Sequence, residues 1–511
     1  MQFKISNSER EYFKFVDLGG LRKLRLVETQ IIHNLASELN SKHLDRVQIL
    51  YYQKLVCYLF NSNLVKNLSK KKYRNTKAKI TIPKLWQKYF KDNGFALSKN
   101  GSNLKFTQFL IIRLVGSILL AIFYSLPARR SPKLDLLSSL KKQGYNVVYL
   151  NRNMSTKYIL DFGNSNLNCF SNWYKKYSNT DKIIYIHHIK ELKKSPDPNY
   201  FYLDFPRHVN TKYIKFLQNS FLIFMKAFKK CLHGNINELF CIADLVLAKR
   251  SEFIPNEFLP NVLIFNESNS ILRPLFSYAL EGRGCATEVF NFSTSDNVKL
   301  INEEQSNFPM LLQSWSMQIV YDKHSEKISG RSLLNQKVST KIINDIPNYT
   351  DKLIEFPQNG RKNLALFDIR PKQHSFGSST LCDIHVTNNL EWKEFILVFF
   401  HLASELNLNI FYKPKRNQFS DQQSLFIERL NRHDFFYMID HNVSPRTVLQ
   451  NSFASVSSTV TTPGFIAKEM GVPSAFYNSN PLMYEYDQTF RGLRVLSSNS
   501  EAYNWVKKFC F

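Results

Sequence analysis

Apolar residues in this 511-residue chain occur either as short continuous runs or as stripes with helical spacing. From Pro132 onward the two patterns alternate, which predicts strands separated by helices and hence an α/β fold with parallel sheets. The predicted strands are 146–150, 183–186, 245–247, 261–265, 286–292, 363–368, 409–412, 435–439, 453–456 and 474–477. The predicted helices are 134–142, 214–236, 272–280, 389–406 and one that begins at Thr462 and ends before Gly471.

The alternation of strands and helices occurs twice along the chain, so the sequence predicts two Rossmann-type domains. Their boundaries are placed at 131–325 and 326–511, after a helical and basic extension over residues 1–130. Two such domains facing each other resemble the GT-B arrangement, with ligand bound between them at the carboxyl ends of the strands. Neither half contains a G-x-G-x-x-G fingerprint, which argues against a dinucleotide-dependent oxidoreductase.

The chain is strongly basic, with 68 Lys and Arg against 41 Asp and Glu and a net charge of +27. Such a surplus favours anionic partners such as phospholipid headgroups or phosphorylated substrates, although a solvated lysine-rich surface also explains it. Nucleic acid is not expected as a partner, because the basic residues are spread out and no recognition motif is present. Seven scattered cysteines indicate reduced thiols in a cytoplasmic protein.

The segment 106–126 is apolar over a length sufficient to span a membrane, but it contains Arg113. An arginine in mid-segment costs about 2.5–3.5 kcal/mol on insertion scales. A helix lying in the membrane interface therefore fits the segment better than a span, and a buried core helix is a further alternative. The N-terminus has no early apolar run, so no cleaved secretion signal is expected.

A loop rich in hydroxyl groups lies between the predicted strand 453–456 and the helix that follows it. Five of the six residues from 457 to 462 carry hydroxyls: Ser457, Ser458, Thr459, Thr461 and Thr462. Hydroxyl and backbone N–H groups at a helix N-terminus suit an anion such as a phosphate. Glu469, later in the helix, is predicted to bind a ribose or base hydroxyl, whereas an ordinary N-cap would need only one of the hydroxyls.

Other candidate residues follow predicted strands. Lys413, Lys415 and Arg416 surround Pro414 and offer fixed positive charge for a phosphate, unless they form a solvated loop. Asp368, Glu267 and Glu288 are the carboxylates considered for proton transfer, although a structural role is equally plausible for the two glutamates. No Cys/His cluster and no D-x-D signature occur, so the sequence predicts neither a metal nor a cofactor.

The chain from Val262 to Tyr477 resembles the bacterial polysaccharide-biosynthesis proteins named for a Pro-Phe-Thr-Ser motif. The corresponding segments are Ser455–Ser458, Thr459–Thr462, Ile466–Glu469 and Gly471–Ser474, with further matches at 273–274, 290–294, 315–322, 364–368 and 413–416. The sequence departs from the naming motif, because Thr459 and Val460 replace Pro-Phe and Thr462 replaces Ser, leaving only Thr461.

The resemblance implies a GT-B-type glycosyltransferase in capsule, O-antigen or other surface-glycan assembly. It would be cytoplasmic, at the inner face of the cell membrane, with a nucleotide-sugar donor in the C-terminal domain. A CMP-linked Kdo or sialic-acid-like sugar is one possible donor, with Lys413–Lys415 in place of a His-Pro turn. The glycan or lipid-linked acceptor would bind the N-terminal domain near Arg273 and Ser293. A sugar-nucleotide epimerase and a non-catalytic scaffold of a glycan-assembly complex are the alternatives.

Overall fold

The computed structural model of the protein describes residues 27, 30–31, 46–59, 84–94, 111–112, 114–116, 118–119, 132–150, 174–175, 177–187, 200–202, 213–233, 237–266, 273–290, 314–315, 317–320, 323, 326, 339–342, 355–357, 359–368, 389–415, 419–441, 443–458, 461–477 and 492–510. Most of the segment 106–126 lies outside these ranges; residues 111, 112, 114–116, 118 and 119 are helical. Among the described residues, no helix is both long enough and apolar enough to cross a membrane.

The described part of the chain contains two parallel sheets. The first consists of β1 (Asn146–Leu150), β2 (Ile183–His187), β3 (Tyr200–Tyr202), β4 (Val262–Asn266), β5 (Ala286–Phe290), β6 (Met317–Val320) and β7 (Ser339–Ile342). Its spatial order is β3-β2-β1-β4-β5-β6-β7, and all neighbouring strands run parallel. Because β7 pairs with β6, the first sheet continues beyond residue 325, where the sequence placed the domain boundary.

The helices of the first part are α1 (Arg46–Leu59), α2 (Lys84–Asp92), α3 (Pro132–Lys142), α4 (Tyr213–Leu232), α5 (Asn237–Phe240), α6 (Ile242–Ser251) and α7 (Leu275–Glu281), with a 3-10 turn at Asn256–Phe258. Helix α1 belongs to the predicted extension but docks on this domain. Its Gln53 donates to the Ser314 hydroxyl at 3.4 Å and accepts from the backbone N–H of Arg273 at 3.4 Å, and Lys54 forms an ion pair with Asp244.

The predicted strand 245–247 is wrong, because these residues lie within α6. Three consecutive apolar residues do not distinguish a strand from a helix. The flanking residues distinguish the two. Ile242, Val246 and Arg250 are buried at a spacing of four residues, as on one face of a helix.

The second sheet consists of β8 (Asn363–Phe367), β9 (Asn409–Lys413), β10 (Phe436–Met438), β11 (Ala454–Ser458), β12 (Ser474–Tyr477) and β13 (Arg494–Leu496). Its order is β10-β9-β8-β11-β12-β13, again parallel throughout. The accompanying helices are α8 (Asn389–Glu405), α9 (Asp421–Leu430), α10 (Pro445–Gln450), α11 (Thr462–Glu469) and α12 (Asn499–Cys510).

Both faces of the second sheet are covered, which explains why its central strands are buried along their whole length. One face packs against α8 and α12 through Phe395, Phe399 and Trp505. The other face packs against α10 and α11 through residues such as Val448 and Ile466. The predicted α/β class with two parallel sheets is therefore confirmed.

Candidate functional site

The candidate site lies where the strand order of the second sheet reverses. β8 is the first strand of this sheet in the chain, and its neighbours β9 and β11 continue in opposite directions from it. In open α/β sheets the crevice at such a switch point, outside the carboxyl ends of the strands, is the usual ligand position. Phe367 of β8 is in register with Ser457 of β11, so Asp368 and Ser458 lie next to each other at this edge.

Thr461 is the N-cap of α11, and its hydroxyl is buried without a hydrogen-bond partner among the described residues. Two other helices of the same domain have working caps: Ser444 accepts from the Arg446 N–H at 3.2 Å and Ser420 from the Gln423 N–H at 3.4 Å. Thr461 makes no such bond, although its backbone is extended as an N-cap requires. Because an unpaired buried hydroxyl is costly, this oxygen is a candidate for contact with a ligand.

The strand that leads to this N-terminus is also polar. Ser455, Ser457 and Ser458 are buried in β11. The Ser455 hydroxyl donates to that of Ser474 at 3.1 Å, whereas the Ser457 hydroxyl has no partner among the residues that the structure describes. Polar residues in the middle of a parallel sheet are unusual, and these precede the positive end of the α11 dipole.

Gly464 allows α11 to lie close to the sheet. A Cβ atom at this position would come within 2.7 Å of Cε1 of Phe476 in β12. The ring of Phe476 packs edge-on against that of Phe465, with centroids 5.5 Å apart. This close packing fixes the position of the helix N-terminus relative to the ends of the strands.

The carboxylate of Asp368 organises the turn after β9. Its Oδ1 accepts the backbone N–H of Lys415 at 2.8 Å, and its Oδ2 accepts the indole N–H of Trp392 at 2.8 Å and the hydroxyl of Tyr412. Burial raises the pKa of Asp368, and these three hydrogen bonds oppose the rise. Every described contact of the carboxylate is therefore with the protein interior, which supports a positioning role for Asp368.

The two described lysines of this turn differ in exposure. Lys413 is buried and donates to the backbone carbonyl of His441 at 2.9 Å. Burial lowers the pKa of Lys413 to about 8, against the opposing charges of Asp368 and Asp440. Lys415 is exposed, so its ammonium is the one that a ligand can reach without rearrangement.

Glu469 does not join this group. It is the last residue of α11, about 12 Å along the helix from Thr461. Its carboxylate is 3.7 Å from the guanidinium of Arg446. The structure thus brings together Asp368, Lys415, Ser458 and Thr461 at one edge of the sheet and places Glu469 at the opposite end of the helix.

In the first domain, Arg273 is buried in an internal network. Its guanidinium donates to the Ser277 hydroxyl at 3.2 Å, the Ser314 carbonyl at 2.9 Å, the Thr287 hydroxyl at 3.0 Å and the Glu281 carboxylate at 2.5 Å. It also stacks over the ring of Tyr278, 3.8 Å from the centroid. This network connects both ends of α7 to β5.

Glu288 lies in the middle of β5 rather than at its carboxyl end. Burial raises the pKa of both Tyr174 and Tyr177, and the nearby charge of Glu288 raises them further. Two tyrosines that stay protonated at neutral pH therefore lie near Glu288.

Four predicted site residues lie outside the described residues: Glu267, Ser293, Arg416 and Thr459. Thr462 is the first residue of α11, next to Thr461. The sequence assigned no role to Trp392 or to Tyr412, which precedes the basic turn; their side chains bind the carboxylate of Asp368. No spacing pattern in the sequence links these two residues to Asp368, because the three come together only when α8 and β9 pack beside β8.

Within the described ranges, no group of three or more His, Cys, Asp or Glu side chains could hold a metal ion.

Comparison with known proteins gives a family match over more than half of the chain. The model of the family described as "Polysaccharide biosynthesis PFTS motif protein" matches residues 221–506. This range includes the second sheet and all the described candidate residues of its switch point. None of the curated proteins compared with the chain matches it.

Several solved structures are distantly similar. A putative UDP-N-acetylglucosamine 2-epimerase from Listeria monocytogenes is 9% identical over 71% of this chain and 87% of its own, with a TM-score of 0.37. A glycosyltransferase from Rickettsia africae ESF-5 is 12% identical over 72% of this chain and 88% of its own, with a TM-score of 0.35. The UDP-GlcNAc 2-epimerase from Methanocaldococcus jannaschii is 11% identical over 72% of this chain and 92% of its own, with a TM-score of 0.34. Similarity at this level assigns no activity to the chain.

Proposed function

Because the chain belongs to the PFTS-motif family of polysaccharide-biosynthesis proteins, we propose that it is a glycosyltransferase of the GT-B type. It moves a sugar from a nucleotide donor to a growing surface polysaccharide or lipid-linked glycan. The second domain binds the nucleotide and the first binds the acceptor. A CMP-linked Kdo or sialic-acid-like sugar is one candidate donor, and capsule or O-antigen is the expected product.

The observation that carries this proposal is the buried hydroxyl of Thr461 at the N-terminus of α11, which has no hydrogen-bond partner among the residues that the structure describes. A donor phosphate placed there accepts a hydrogen bond from this hydroxyl and is stabilised by the positive end of the helix dipole. Thr461 is also the residue that this sequence retains from the naming motif of the family. The position at the switch point of a parallel sheet agrees with where such folds bind nucleotides.

Other residues of the same edge complete the donor site in this proposal. Ser457, Ser458, Thr459 and Thr462 supply further hydroxyls around the phosphate. Lys415 and Arg416 supply positive charge from the neighbouring turn. Lys413 and Asp368 keep that turn in position, since both are buried and bonded to the protein.

In the transfer step, an acceptor hydroxyl oxygen bonds to the anomeric carbon of the donor sugar. The bond from that carbon to the phosphate oxygen breaks, and the nucleotide leaves with the electron pair. The acceptor proton passes to a base, for which Glu267 and Glu288 of the first domain are the candidates. No metal is required if the helix dipole and basic turn stabilise the leaving phosphate.

Association with the inner face of the cell membrane would bring the protein to a lipid-linked acceptor. The apolar segment 106–126 and the net charge of +27 support such an association. In this proposal the segment lies in the interface without spanning the bilayer.

The donor site is tested by measuring the binding of CMP, UDP, GDP and their sugar conjugates to wild type and to Thr461→Val. A nucleotide that binds only the folded state raises the thermal midpoint. Loss of a hydrogen bond to a charged phosphate should weaken binding at least about tenfold, while Thr461→Ser should bind like wild type. Equal binding by Thr461→Val would overturn the assignment.

A matched control separates binding from helix stability. Ser444→Ala removes a cap that does bond, so it should lower the free energy of unfolding by about 1 kcal/mol and leave nucleotide affinity unchanged. Thr461→Val removes no capping hydrogen bond, so it should change the free energy of unfolding less than Ser444→Ala does. Once the nucleotide is known, conversion of the donor sugar without any acceptor would instead identify an epimerase, and absence of binding by any nucleotide would favour the scaffold.

A further inference from the structure

Helix α4 presents three different faces to its surroundings. One face carries Phe216, Ser220 and Ala227, which are buried against α5 and α6. This face anchors the helix to the first domain. The remaining two faces point away from the domain and differ in chemistry.

The second face of α4 is apolar and exposed. Its residues recur every three or four positions along the helix, as one stripe requires: Ile214, Leu217, Phe221, Met225, Phe228 and Leu232. Their exposed fractions range from 46% at Leu217 to 77% at Ile214. A water-facing stripe of this size is costly unless something covers it.

The helical residues of the segment 111–119 extend this apolar surface. Leu114 packs against the same cluster as Ala227 of α4, which places the two helical segments side by side. The exposed side chains of this segment are Ile111, Ile112, Val115, Ile118 and Leu119. Within the described part of the chain, twelve of the fifteen large apolar side chains that are exposed lie on these two segments, so the surface is not a random scatter. The twelfth is Leu222, which is 63% exposed and lies beside the stripe on the third face of α4.

The third face of α4 is basic. Lys215, Lys226 and Lys229 are exposed and share one stripe, because 11 residues make about three helical turns. This stripe runs along the helix next to the apolar one. An apolar face bordered by lysines is the pattern of a helix that lies in a membrane interface, with its cations among anionic headgroups.

We propose that α4 and the helical segment 111–119 together form a docking surface for a bilayer containing anionic lipid. The apolar stripe enters the boundary between headgroups and acyl chains, and the three lysines contact lipid phosphates. A second copy of this chain is a less suitable occupant, because two surfaces of a protein with net charge +27 repel each other. This inference rests on the membrane association proposed above and assigns it to these residues, and it does not depend on the nucleotide site.

The test is flotation of the full chain, without nucleotide, with vesicles of phosphatidylethanolamine and phosphatidylglycerol or of phosphatidylcholine alone. Wild type should bind the anionic vesicles at least tenfold more tightly than the neutral ones, and more weakly as salt increases. The variant Phe221→Ser/Met225→Ser/Phe228→Ser should lose at least fivefold in affinity. Lys226→Glu/Lys229→Glu should lose affinity and part of the salt dependence.

Leu425→Ser is the matched control, because Leu425 is a similarly exposed apolar side chain on α9 of the second domain. It should bind vesicles like wild type. All substituted side chains are exposed, so circular dichroism and thermal midpoints should confirm folding. Binding of both α4 variants at wild-type affinity would overturn the proposal. So would a wild-type dimer that the serine variant converts to a monomer without any change in vesicle binding.

Discussion

The backbone N–H of Lys415 donates a hydrogen bond to Oδ1 of Asp368 at 2.8 Å, although 47 residues separate the two in the chain. The bond connects the end of β8 to the turn after β9. The other carboxylate oxygen is occupied by Trp392 and Tyr412. Asp368 therefore holds the backbone at Lys415, and with it the base of the exposed lysine side chain, at the edge of the sheet next to Ser458.

Removal of this carboxylate should destabilise the second domain. Asp368→Ala removes the acceptor of the buried Tyr412 hydroxyl and leaves the indole N–H of Trp392 only its 3.2 Å bond to that hydroxyl. The free energy of unfolding should therefore fall by about 2–3 kcal/mol. Urea unfolding of both proteins measures the difference. Asp434→Ala is the control, since this aspartate is exposed and pairs with Arg361 at the surface, where a loss below about 1 kcal/mol is expected. Equal losses would contradict the interior role of Asp368.

The buried Lys413 should make stability depend on alkaline pH. Its pKa of about 8 in the folded chain lies below its ordinary value of 10.5, so between these values the unfolded chain binds more protons. Relative to a neutral side chain, the buried lysine therefore costs no stability above pH 10.5, and the cost is fully present once the pH has fallen through 8. The free energy of unfolding of wild type minus that of Lys413→Met should rise by about 1.4 kcal/mol per pH unit around pH 9. A flat difference would show that burial does not perturb this lysine.

Lys415 should contribute to nucleotide affinity through its charge. Because it is exposed at the edge of the candidate site, Lys415→Ala should weaken nucleotide binding by about threefold to tenfold at low salt and less at high salt. Lys507→Ala on α12 is a control of equal charge change elsewhere in the domain. Isothermal titration at two salt concentrations measures both. If Lys415→Ala and Lys507→Ala lost nucleotide affinity equally, the loss would reflect the net charge of the protein and not the position of Lys415 in the turn after β9.

The sequence predicted most of the sheet framework but not all of it. Runs such as 364–367 and 410–412 are continuously apolar because helices cover both faces of the sheet, so they are recognisable without the structure. Strands β3, β6, β7 and β13 are three or four residues long, and such lengths carry little periodic signal. The helix at 462–469 was predictable from Pro463 near its start and Gly471, whose φ is +72°, after its end.

Only those parts of the candidate site that are formed by residues close together in the sequence could be predicted. The hydroxyl residues before α11 stand together in the chain, and the structure places Thr461 and Thr462 at the helix N-terminus as the sequence predicted. The role of Asp368 could not be read in the same way, because its partners come from α8 and β9. Burial alone separates Lys413 from Lys415, and burial depends on packing that spacing does not reveal. The binding roles of these residues remain predictions.

Close packing at Gly464 should make this position intolerant of any side chain. In Gly464→Ala the new Cβ meets the ring of the fully buried Phe476, so α11 must shift, at a cost of about 1–3 kcal/mol. Nucleotide affinity should fall as well, since the helix N-terminus moves. Gly116→Ala is the control, because no atom of the described residues lies within 4 Å of its added Cβ. Alanine in a helix should leave stability unchanged or raise it by up to about 1 kcal/mol. Denaturation midpoints and nucleotide titrations on both variants check this.

Arg273 offers a test of structural against acceptor-binding roles in the first domain. The described bonds of its guanidinium reach four groups of the protein, and the side chain is only 2% exposed. Arg273→Met should therefore lower the free energy of unfolding by about 3 kcal/mol, because the buried Thr287 hydroxyl and Ser314 carbonyl lose a donor and the half-buried Glu281 loses its cation. Arg361→Met, at a surface ion pair, should lower the free energy of unfolding by less than about 1 kcal/mol.

A conservative Arg273→Lys variant separates the structural role from the binding role further, since lysine keeps the charge but cannot donate to four acceptors at once. If Arg273→Lys had wild-type stability and only its KM for the acceptor rose, the guanidinium would be a binding group. If stability fell while the KM of the folded protein for the acceptor stayed unchanged, the role of the guanidinium would be structural.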